Sequence, residues 1–325
     1  MNNHPAKFQS LLFILFFLLA IPNLAYSKNN FSIFLDEIAS EASSLGISKK
    51  VINDFKKSTV FIPKVIKYDK SQPEFKLTLD EYLKRVVTPL KIKNANKKYK
   101  ENKEILIKVG NFYGVQPRFI VALWGIETDF GRLTGGFPVI SSLSTLAFEG
   151  RRHDYFKKEL LNALKIIDKG HISLKKMTGS WAGAMGQCQF MPSSFLNYAS
   201  DWDKNGSKDI WNSKGDVFAS AANYLKQVGW SNKRTWGQKV NIANFKIKHN
   251  KNKVLYLDDW SNLGVLKNNK NKLPSIKLKA RLIIPDNYGQ YGYLVYNNFE
   301  SLLNWNRSNY FAIAVGKLSD NIKKN

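Results

Sequence analysis

Residues 122–131 read Ala-Leu-Trp-Gly-Ile-Glu-Thr-Asp-Phe-Gly and place one carboxylate, Glu127, between an apolar helix and a glycine turn. The helix is predicted to begin at Gln116-Pro117, because proline suits the first helical turn. A carboxyl group at the end of an apolar helix is half surrounded by hydrocarbon, and burial raises its pKa by penalising the charged form. A carboxylic acid that is still protonated near neutral pH can serve as a general acid. We therefore predict that Glu127 is the catalytic residue.

A second segment lies about fifty residues further along the chain. Residues 180–186 read Ser-Trp-Ala-Gly-Ala-Met-Gly, and residues 189–194 read Gln-Phe-Met-Pro-Ser-Ser. Gly183 and Gly186 allow the backbone to approach a ligand closely. Ser180 and Gln189 offer short polar groups that suit an amido sugar. The alternative is a tight structural turn that Ser180 caps.

Together the two segments resemble the family B lytic murein transglycosylases. The resemblance runs from about Phe31 to the C-terminus and is densest over residues 113–230 and 304–315. It implies a lysozyme-like helical fold and cleavage of the MurNAc–GlcNAc β-1,4 bond of peptidoglycan. In the family, the glutamate that matches Glu127 protonates the leaving oxygen and then acts as base on the C6 hydroxyl of MurNAc. The product ends in a 1,6-anhydro sugar, and the chemistry requires no cofactor.

The resemblance also implies substrate-binding roles. These fall on Ser180, Gln189, Arg151, Arg152, Tyr224, Trp305, Asn306 and Tyr310. The two arginines would lie near the peptide side of the groove, although a solvated pair at a helix start is the alternative. Trp305 would offer a stacking surface, with Asn306 and Tyr310 facing the acid; the alternative for these aromatic residues is a place in the core. The sequence departs from the family at Gln187-Cys188, where an aromatic and then a small residue are common.

Glycoside hydrolysis normally uses two carboxylates. Asp129 is a poor partner for Glu127, because side chains two positions apart on a helix do not face each other. No other carboxylate lies in a recognisable motif, which fits a mechanism with one carboxylate. A hydrolytic muramidase of the same fold class and a non-catalytic wall-binding scaffold remain as alternatives.

Residues 201–209 carry a separate signal. Oxygen ligands fall at positions 1, 3, 5, 7 and 9 of an EF-hand-type loop, with glycine at position 6. The predicted ligands are Asp201, Asp203, Asn205, Ser207 and Asp209. Position 12 is Asn212 rather than a bidentate glutamate, which weakens the site. We expect a weakly bound structural Ca²⁺ or Na⁺ in the 201–212 loop; an Asp/Asn/Gly-rich turn without an ion is the alternative.

Residues 1–27 have the pattern of a signal peptide, with Lys7, an apolar stretch at 11–21 and small residues at 25–27. An uncleaved anchor is the alternative, but the apolar stretch is shorter than the ~20 residues of a membrane span. We expect a periplasmic monomer with no stable membrane anchor after cleavage. Export argues against a nucleic-acid partner despite the net charge of +25. The single cysteine, Cys188, excludes an internal disulfide and is interpreted as a structural thiol.

The predicted fold is mainly α, a lysozyme-like helical domain with a small inserted antiparallel β region. The helical core is expected over 28–236 and the β region over 237–296, where alternating and β-branched runs are separated by Lys/Asn-rich turns. A C-terminal helix within 297–325 is expected to pack back on the core. Residues 59–78 are predicted to be irregular, residues 94–113 to form one helix, and a single final helix to open at 301–304.

Overall fold

The computed structural model describes residues 28–71, 77–245, 253–285 and 289–323, and the predicted signal peptide lies outside the described residues. Most of the described chain is helical. The helices are α1 (Lys28–Ser44), α2 (Lys49–Ser58), α3 (Pro63–Lys70), α4 (Leu79–Val86), α5 (Pro89–Glu101), α6 (Lys103–Tyr113), α7 (Pro117–Thr128), α8 (Val139–Glu149), α9 (His153–Asp168), α10 (Pro192–Tyr198), α11 (Lys214–Gln227), α12 (Leu257–Asn262), α13 (Asn297–Trp305) and α14 (Asn309–Asp320).

The strands form two antiparallel sheets. They are β1 (Phe137–Pro138), β2 (Thr178–Gly179), β3 (Gly237–Asn241), β4 (Val254–Tyr256), β5 (Leu266–Lys267), β6 (Lys279–Ile283) and β7 (Tyr291–Val295). β1 pairs with β2, and the larger sheet has the order β4-β6-β7-β3-β5. In that sheet Gly237 of β3 stands opposite Val295 of β7. The prediction of a mainly α fold with a small antiparallel β region is confirmed.

Helix α7 is the central element of the helical part. It begins with Pro117 in its first turn, and its side chains from Phe119 to Trp124 are buried. Helices α5, α6, α11 and α14 pack around it. The helix ends at Asp129, which adopts the left-handed conformation with φ 50°. A buried helix that stops in this way presents Glu127, in its last turn, at the edge of the core.

The larger sheet has its own apolar cluster, which includes Val240, Trp260 and Leu294. Trp236, just before β3, belongs instead to the main cluster of the helices. Its indole N–H donates to Asp320 of α14 at 2.9 Å, and its ring lies so close to Gly316 that a Cβ there would stand 2.2 Å away. The sheet is therefore tied to α14, which itself packs on α7.

Three predicted helix boundaries are wrong. Residues 94–113 fall in two helices, because Asn102 leaves the helical conformation (φ −119°, ψ 18°) and its side-chain amide donates to the Lys98 carbonyl at 2.8 Å. Part of the predicted irregular segment is helix α3, whose Pro63 occupies the permissive first turn. The final helix is divided into α13 and α14, because Ser308 caps a new helix by accepting from the Phe311 N–H at 3.3 Å.

Candidate active site

Glu127 lies half-buried in the last turn of α7. Trp305, the last residue of α13, donates its indole N–H to Glu127 Oε1 at 2.7 Å. Burial raises the pKa of Glu127 to about 7, and the hydrogen bond from Trp305 opposes that rise because it stabilises the ionised form. The carboxyl group therefore titrates near neutral pH and can both donate and accept a proton there.

The burial of Glu127 has an identifiable cause. A small cavity beside it has an apolar lining, formed by Ile120, Leu123, Trp124, Cys188, Val217, Phe218, Ala221 and Trp305, with Gln187 as the polar member besides Glu127. The Cys188 thiol is buried, donates to the Val217 carbonyl at 3.4 Å, and has its pKa raised by burial. A neutral thiol of this kind keeps the environment of Glu127 apolar without supplying a second titrating group at neutral pH.

Asp129 does not share the environment of Glu127. Its carboxylate forms ion pairs with Lys91 at 3.1 Å and with Arg132 at 2.7 Å. Burial alone would raise the pKa of Asp129, but the hydrogen bonds from Arg132 and Lys91 hold it below its usual value. Asp129 is therefore ionised and held by two cations, which agrees with the expectation that it is a poor partner for Glu127.

The segment at 179–190 folds into a close-packed turn. Ser180 Oγ accepts from the Ala184 N–H at 3.0 Å, and Gly183 adopts φ +89°. At Gly135, which also has a positive φ, a Cβ would stand 2.2 Å from the Gly179 carbonyl oxygen, so only glycine allows these loops to meet. Ser180 thus caps a tight structural turn, which was the alternative to a role in binding. Its oxygen accepts that bond, so the hydroxyl proton can still be donated to a ligand.

Two glutamines brace this turn. Gln189, at φ 51°, donates from Nε2 to the carbonyls of Thr134 and Gly186, both at 3.0 Å. Gln187, where the chain departs from the family pattern, accepts from the Trp124 indole at 2.8 Å and donates to the Trp211 carbonyl at 2.7 Å. Sequence reasoning gave no role to Gln187, whose amide joins α7 to the loop before α11.

The predicted aromatic residues meet on one side of Glu127. The ring centroid of Trp305 lies 4.8 Å from that of Tyr224 and 5.2 Å from that of Phe190. Tyr224 is buried, and its hydroxyl donates to the Asn304 carbonyl at 2.6 Å. Trp305 is half-buried, so part of its ring still faces outward. Its packing and its hydrogen bond to Glu127 are features that sequence reasoning missed.

Asn306 and Tyr310 lie just beyond Trp305. Asn306 is exposed and accepts from the Ser308 N–H at 3.1 Å, while Tyr310 is half-buried. The Tyr310 ring lies 5.8 Å from that of Tyr82 on α4. Burial, and secondly the charge of Glu127, raise the pKa of Tyr82, so Tyr82 also borders the site. Nothing in the sequence around Tyr82 signalled this position.

The two predicted arginines are engaged by Asp69, at the end of α3. The Asp69 side chain is only 2% exposed, and it accepts from Arg151 Nε at 2.9 Å and from Arg152 at 2.5 Å. Burial opposes ionisation of Asp69, but these hydrogen bonds lower its pKa. The arginines anchor α3 to the start of α9. Their predicted part in binding the glycan peptide stays a prediction.

The chain matches the family described as Transglycosylase SLT domain over residues 30–320. The chain belongs to this family. Membrane-bound lytic murein transglycosylase B of Escherichia coli (strain K12) is 37% identical over 150 residues, which are 46% of this chain and 41% of that protein. The matched stretch is thus less than half the length of that curated relative.

Solved structures support the same membership. SltB3 from Pseudomonas aeruginosa in complex with NAG-NAM-pentapeptide has a TM-score of 0.87 and 37% identity, over 91% of this chain and 80% of that one. SltB3 in complex with NAG-anhNAM-pentapeptide has a TM-score of 0.85 and 36% identity over the same shares. Lytic transglycosylase Slt35 of Escherichia coli in complex with calcium has a TM-score of 0.75 and 26% identity, over 90% and 92%. The predicted resemblance to family B lytic transglycosylases is confirmed.

The acidic cluster at the predicted cation loop includes a carboxylate from outside the loop. Carboxylate oxygens of Asp201, Asp203 and Asp216 lie within 4.8 Å of one another. Asp216 is fully buried in the first turn of α11, and burial together with its two acidic neighbours raises its pKa. Three hard oxygen donors fit a hard cation such as Ca²⁺. Sequence reasoning stopped at position 12 of the loop and so missed Asp216.

The other predicted ligands form hydrogen bonds within the loop or with His171. Asn205 Oδ1 accepts from the Ser207 N–H at 2.8 Å, and Ser207 Oγ donates to the His171 carbonyl at 3.0 Å. Asp209 accepts from the backbone N–H groups of Trp211 and Asn212, both at 2.9 Å. Asp201 and Asp216 also accept backbone N–H bonds, so the reason to favour Asp201, Asp203 and Asp216 as the carboxylates that would hold an ion is that their oxygens lie together.

Within the part of the chain that the structure describes, no helix combines the length and the apolar character that crossing a bilayer requires.

Proposed function

We propose that this protein is a peptidoglycan lytic transglycosylase that cleaves the MurNAc–GlcNAc β-1,4 bond and leaves a 1,6-anhydroMurNAc end. The observation that carries the proposal is the carboxyl group of Glu127, whose pKa burial raises to about 7 beside a small apolar cavity. Family membership and the relatives crystallised with NAG-NAM-pentapeptide and NAG-anhNAM-pentapeptide support the substrate class.

Glu127 performs both proton transfers in this proposal. Protonated Glu127 gives its proton to the bridging oxygen while the bond from C1 of MurNAc to that oxygen breaks. The C6 hydroxyl oxygen of the same sugar then forms a bond to C1, and its proton passes to the Glu127 carboxylate. The acid is regenerated, no water is consumed, and no cofactor takes part. A pKa close to neutral suits a group that must act first as acid and then as base.

The neighbouring side chains give Glu127 these properties. Trp305 holds one carboxylate oxygen, and the other, which has no hydrogen bond from the described residues, is proposed to face the glycosidic bond. The Ser180 hydroxyl and the Gln189 carbonyl oxygen are proposed to bind the acetamido groups of the sugars. Asp129 is held by Lys91 and Arg132 and is therefore not available as a base for an attacking water. This last point favours the transglycosylase over a hydrolytic muramidase.

Digestion of purified sacculi by the mature protein, followed by mass spectrometry, tests the reaction type. We expect products one water lighter than hydrolysis products, and no incorporation of ¹⁸O from labelled water. Products that carry one ¹⁸O per cleavage would identify a muramidase instead.

A substitution tests whether the protein is an enzyme at all. Glu127→Gln should abolish lysis while binding to sacculi is retained, because the amide keeps the shape but supplies no acidic proton. Glu104→Gln is the matched control, since Glu104 is an exposed surface residue paired with Lys108. Unchanged lysis by Glu127→Gln would leave a wall-binding scaffold as the better description.

Export and cation binding complete the proposal. We propose that residues 1–27 direct the chain to the periplasm, where it acts as a monomer on glycan strands. Cell fractionation of the full chain and of a version without residues 1–27 tests this; equal distribution of both would contradict it. We also propose that Asp201, Asp203 and Asp216 hold Ca²⁺ or Na⁺, which would relieve the repulsion among three carboxylates. The relative crystallised with calcium supports the cation.

A further inference from the structure

A second cavity, larger than the one beside Glu127, is lined by loops that adjoin Glu127 and Ser180 in the chain. Its volume is about 670 Å³, within the range of ordinary ligand pockets. The lining residues are Gly131, Thr134, His171, Ile172, Ser173, Lys176, Thr178, Asp209, Trp211 and Asn212. Gly131 follows Glu127 by four residues, and Thr178 precedes Ser180 by two. The cavity and the proposed glycan cleft therefore share the loops that form their common wall.

Two of the lining side chains present hydrogen-bond donors. Lys176 is exposed and forms no ion pair within the described residues. His171 Nδ1 accepts from the Lys208 backbone N–H at 3.3 Å. The neutral imidazole must then carry its proton on Nε2, where it can donate to a ligand.

The acidic lining residue, Asp209, is held within its own loop. Asp209 Oδ1 accepts from the backbone N–H groups of Trp211 and Asn212, and Asp209 Oδ2 accepts from the Asn212 side chain at 3.1 Å. Each oxygen of this carboxylate therefore already accepts at least one hydrogen bond within the loop. The cavity thus offers a ligand the donors of Lys176 and His171, with the apolar surfaces of Trp211 and Ile172 beside them and an internally bonded carboxylate.

A neighbouring pocket provides a useful contrast. It shares Gly131 with this cavity and is also basic, with Lys97, Lys98 and Arg132 in its lining. Each of these cations is already paired, the two lysines with Glu101 and the arginine with Asp129. Lys176 differs because its charge is not neutralised by a partner in the described chain.

We propose that the cavity around Lys176, His171 and Trp211 binds the peptide stem of the glycan strand by one of its carboxylates, an assignment that rests on the proposed function. The stem branches from the lactyl group of MurNAc, the sugar that Glu127 would protonate. A strand in the cleft would thus place its stem near the wall that the two sites share. Lys176 and the His171 N–H bind the carboxylate, and Trp211 contacts the aliphatic part of the stem.

Binding of the free stem tests the proposal without relying on catalysis. The probe is the tripeptide L-alanyl-γ-D-glutamyl-meso-diaminopimelate, titrated calorimetrically into the mature protein beside its fully amidated counterpart. We expect the acidic tripeptide to bind and Lys176→Met to weaken it about tenfold, the typical effect of losing one charge-assisted hydrogen bond. Lys175→Met is the matched control, because Lys175 is exposed next to Lys176 but does not line the cavity. Equal binding of the amidated peptide, or an equal loss in both variants, would overturn the proposal.

Kinetics separate this proposal from the proposed function. On strands with stems, Lys176→Met should lower kcat/KM about tenfold, and on strands stripped of stems by an amidase it should change nothing. An equal fall on both substrates would overturn the stem site. If the unaltered protein cleaved neither substrate but still bound the acidic tripeptide through Lys176, the proposed function would fail while the peptide site would stand.

Discussion

Replacing Trp305 with phenylalanine isolates the contribution of one hydrogen bond to the acidity of Glu127. The substitution keeps an aromatic ring against Phe190 and Tyr224 but removes the indole N–H that lies 2.7 Å from Glu127 Oε1. That bond stabilises the ionised carboxylate, so its loss must raise the pKa of Glu127 further above its present value of about 7. A hydrogen bond to a charged group contributes about 1.5–3 kcal/mol, and 1.36 kcal/mol corresponds to one pH unit.

We take the lower end of this range because Glu127 is only half-buried. The alkaline limb of the kcat/KM profile, which reports the acid of the free enzyme, should then move upward by about one pH unit. The assay is turbidity loss of purified sacculi across a pH series at low substrate. Tyr224→Phe is the control, because it changes a ring of the same aromatic cluster. The hydroxyl that it removes donates to the Asn304 carbonyl and not to Glu127.

A change in sugar stacking would alter the rate of Trp305→Phe at every pH but would not move the limb. An alkaline limb that stays in place, or one that moves to lower pH, would refute the role given to the indole N–H.

Three further outcomes follow from the structure. Glu127 binds more protons when folded than when unfolded between pH 4.5 and about 7, so its contribution to stability is complete below 4.5 and is lost as pH rises through 7. Glu127→Gln should therefore match the parent in urea unfolding below pH 4.5 but exceed it by about 3 kcal/mol well above pH 7; equal stability there would contradict the raised pKa. Asp69→Asn should lower the free energy of unfolding by about 2 kcal/mol, because Arg151 and Arg152 lose their buried partner; an unchanged urea midpoint would show that the pairing contributes nothing. Ca²⁺ at ten times its Kd should stabilise the protein by about 1.4 kcal/mol, and Asp216→Asn should reduce that gain in a thermal melt; the same gain in the variant would exclude Asp216 as a ligand.

Local pattern predicted much of the fold. The apolar run of α7, Pro117 at its start and the turn after Glu127 lie within one short stretch, so the helix and the burial of its last carboxyl group were predictable. The break at Asn102 was not, because asparagine is tolerated inside helices and only the bond of its side chain to the Lys98 carbonyl shows the interruption.

The contacts that tune the site join distant parts of the chain. Trp305 is 178 positions from Glu127, and Asp69 is 82 positions from Arg151. Sequence reasoning found Glu127, Trp305 and Arg151 by motif, but it gave Trp305 the role of a sugar platform and gave Arg151 no internal partner. Asp216 was missed for a related reason, since it reaches the acidic loop from the first turn of α11. Such pairings depend on how the helices pack, which single-sequence patterns do not specify.

The central claim is that one carboxyl group at the end of α7 stays protonated close to neutral pH, and a direct titration of that group tests it. Glutamate labelled with ¹³C at its side-chain carboxyl, followed by NMR across a pH series, resolves the signal that disappears in Glu127→Gln. We predict that this signal titrates at about pH 7. Titration at its ordinary value of 4.5 would contradict the account.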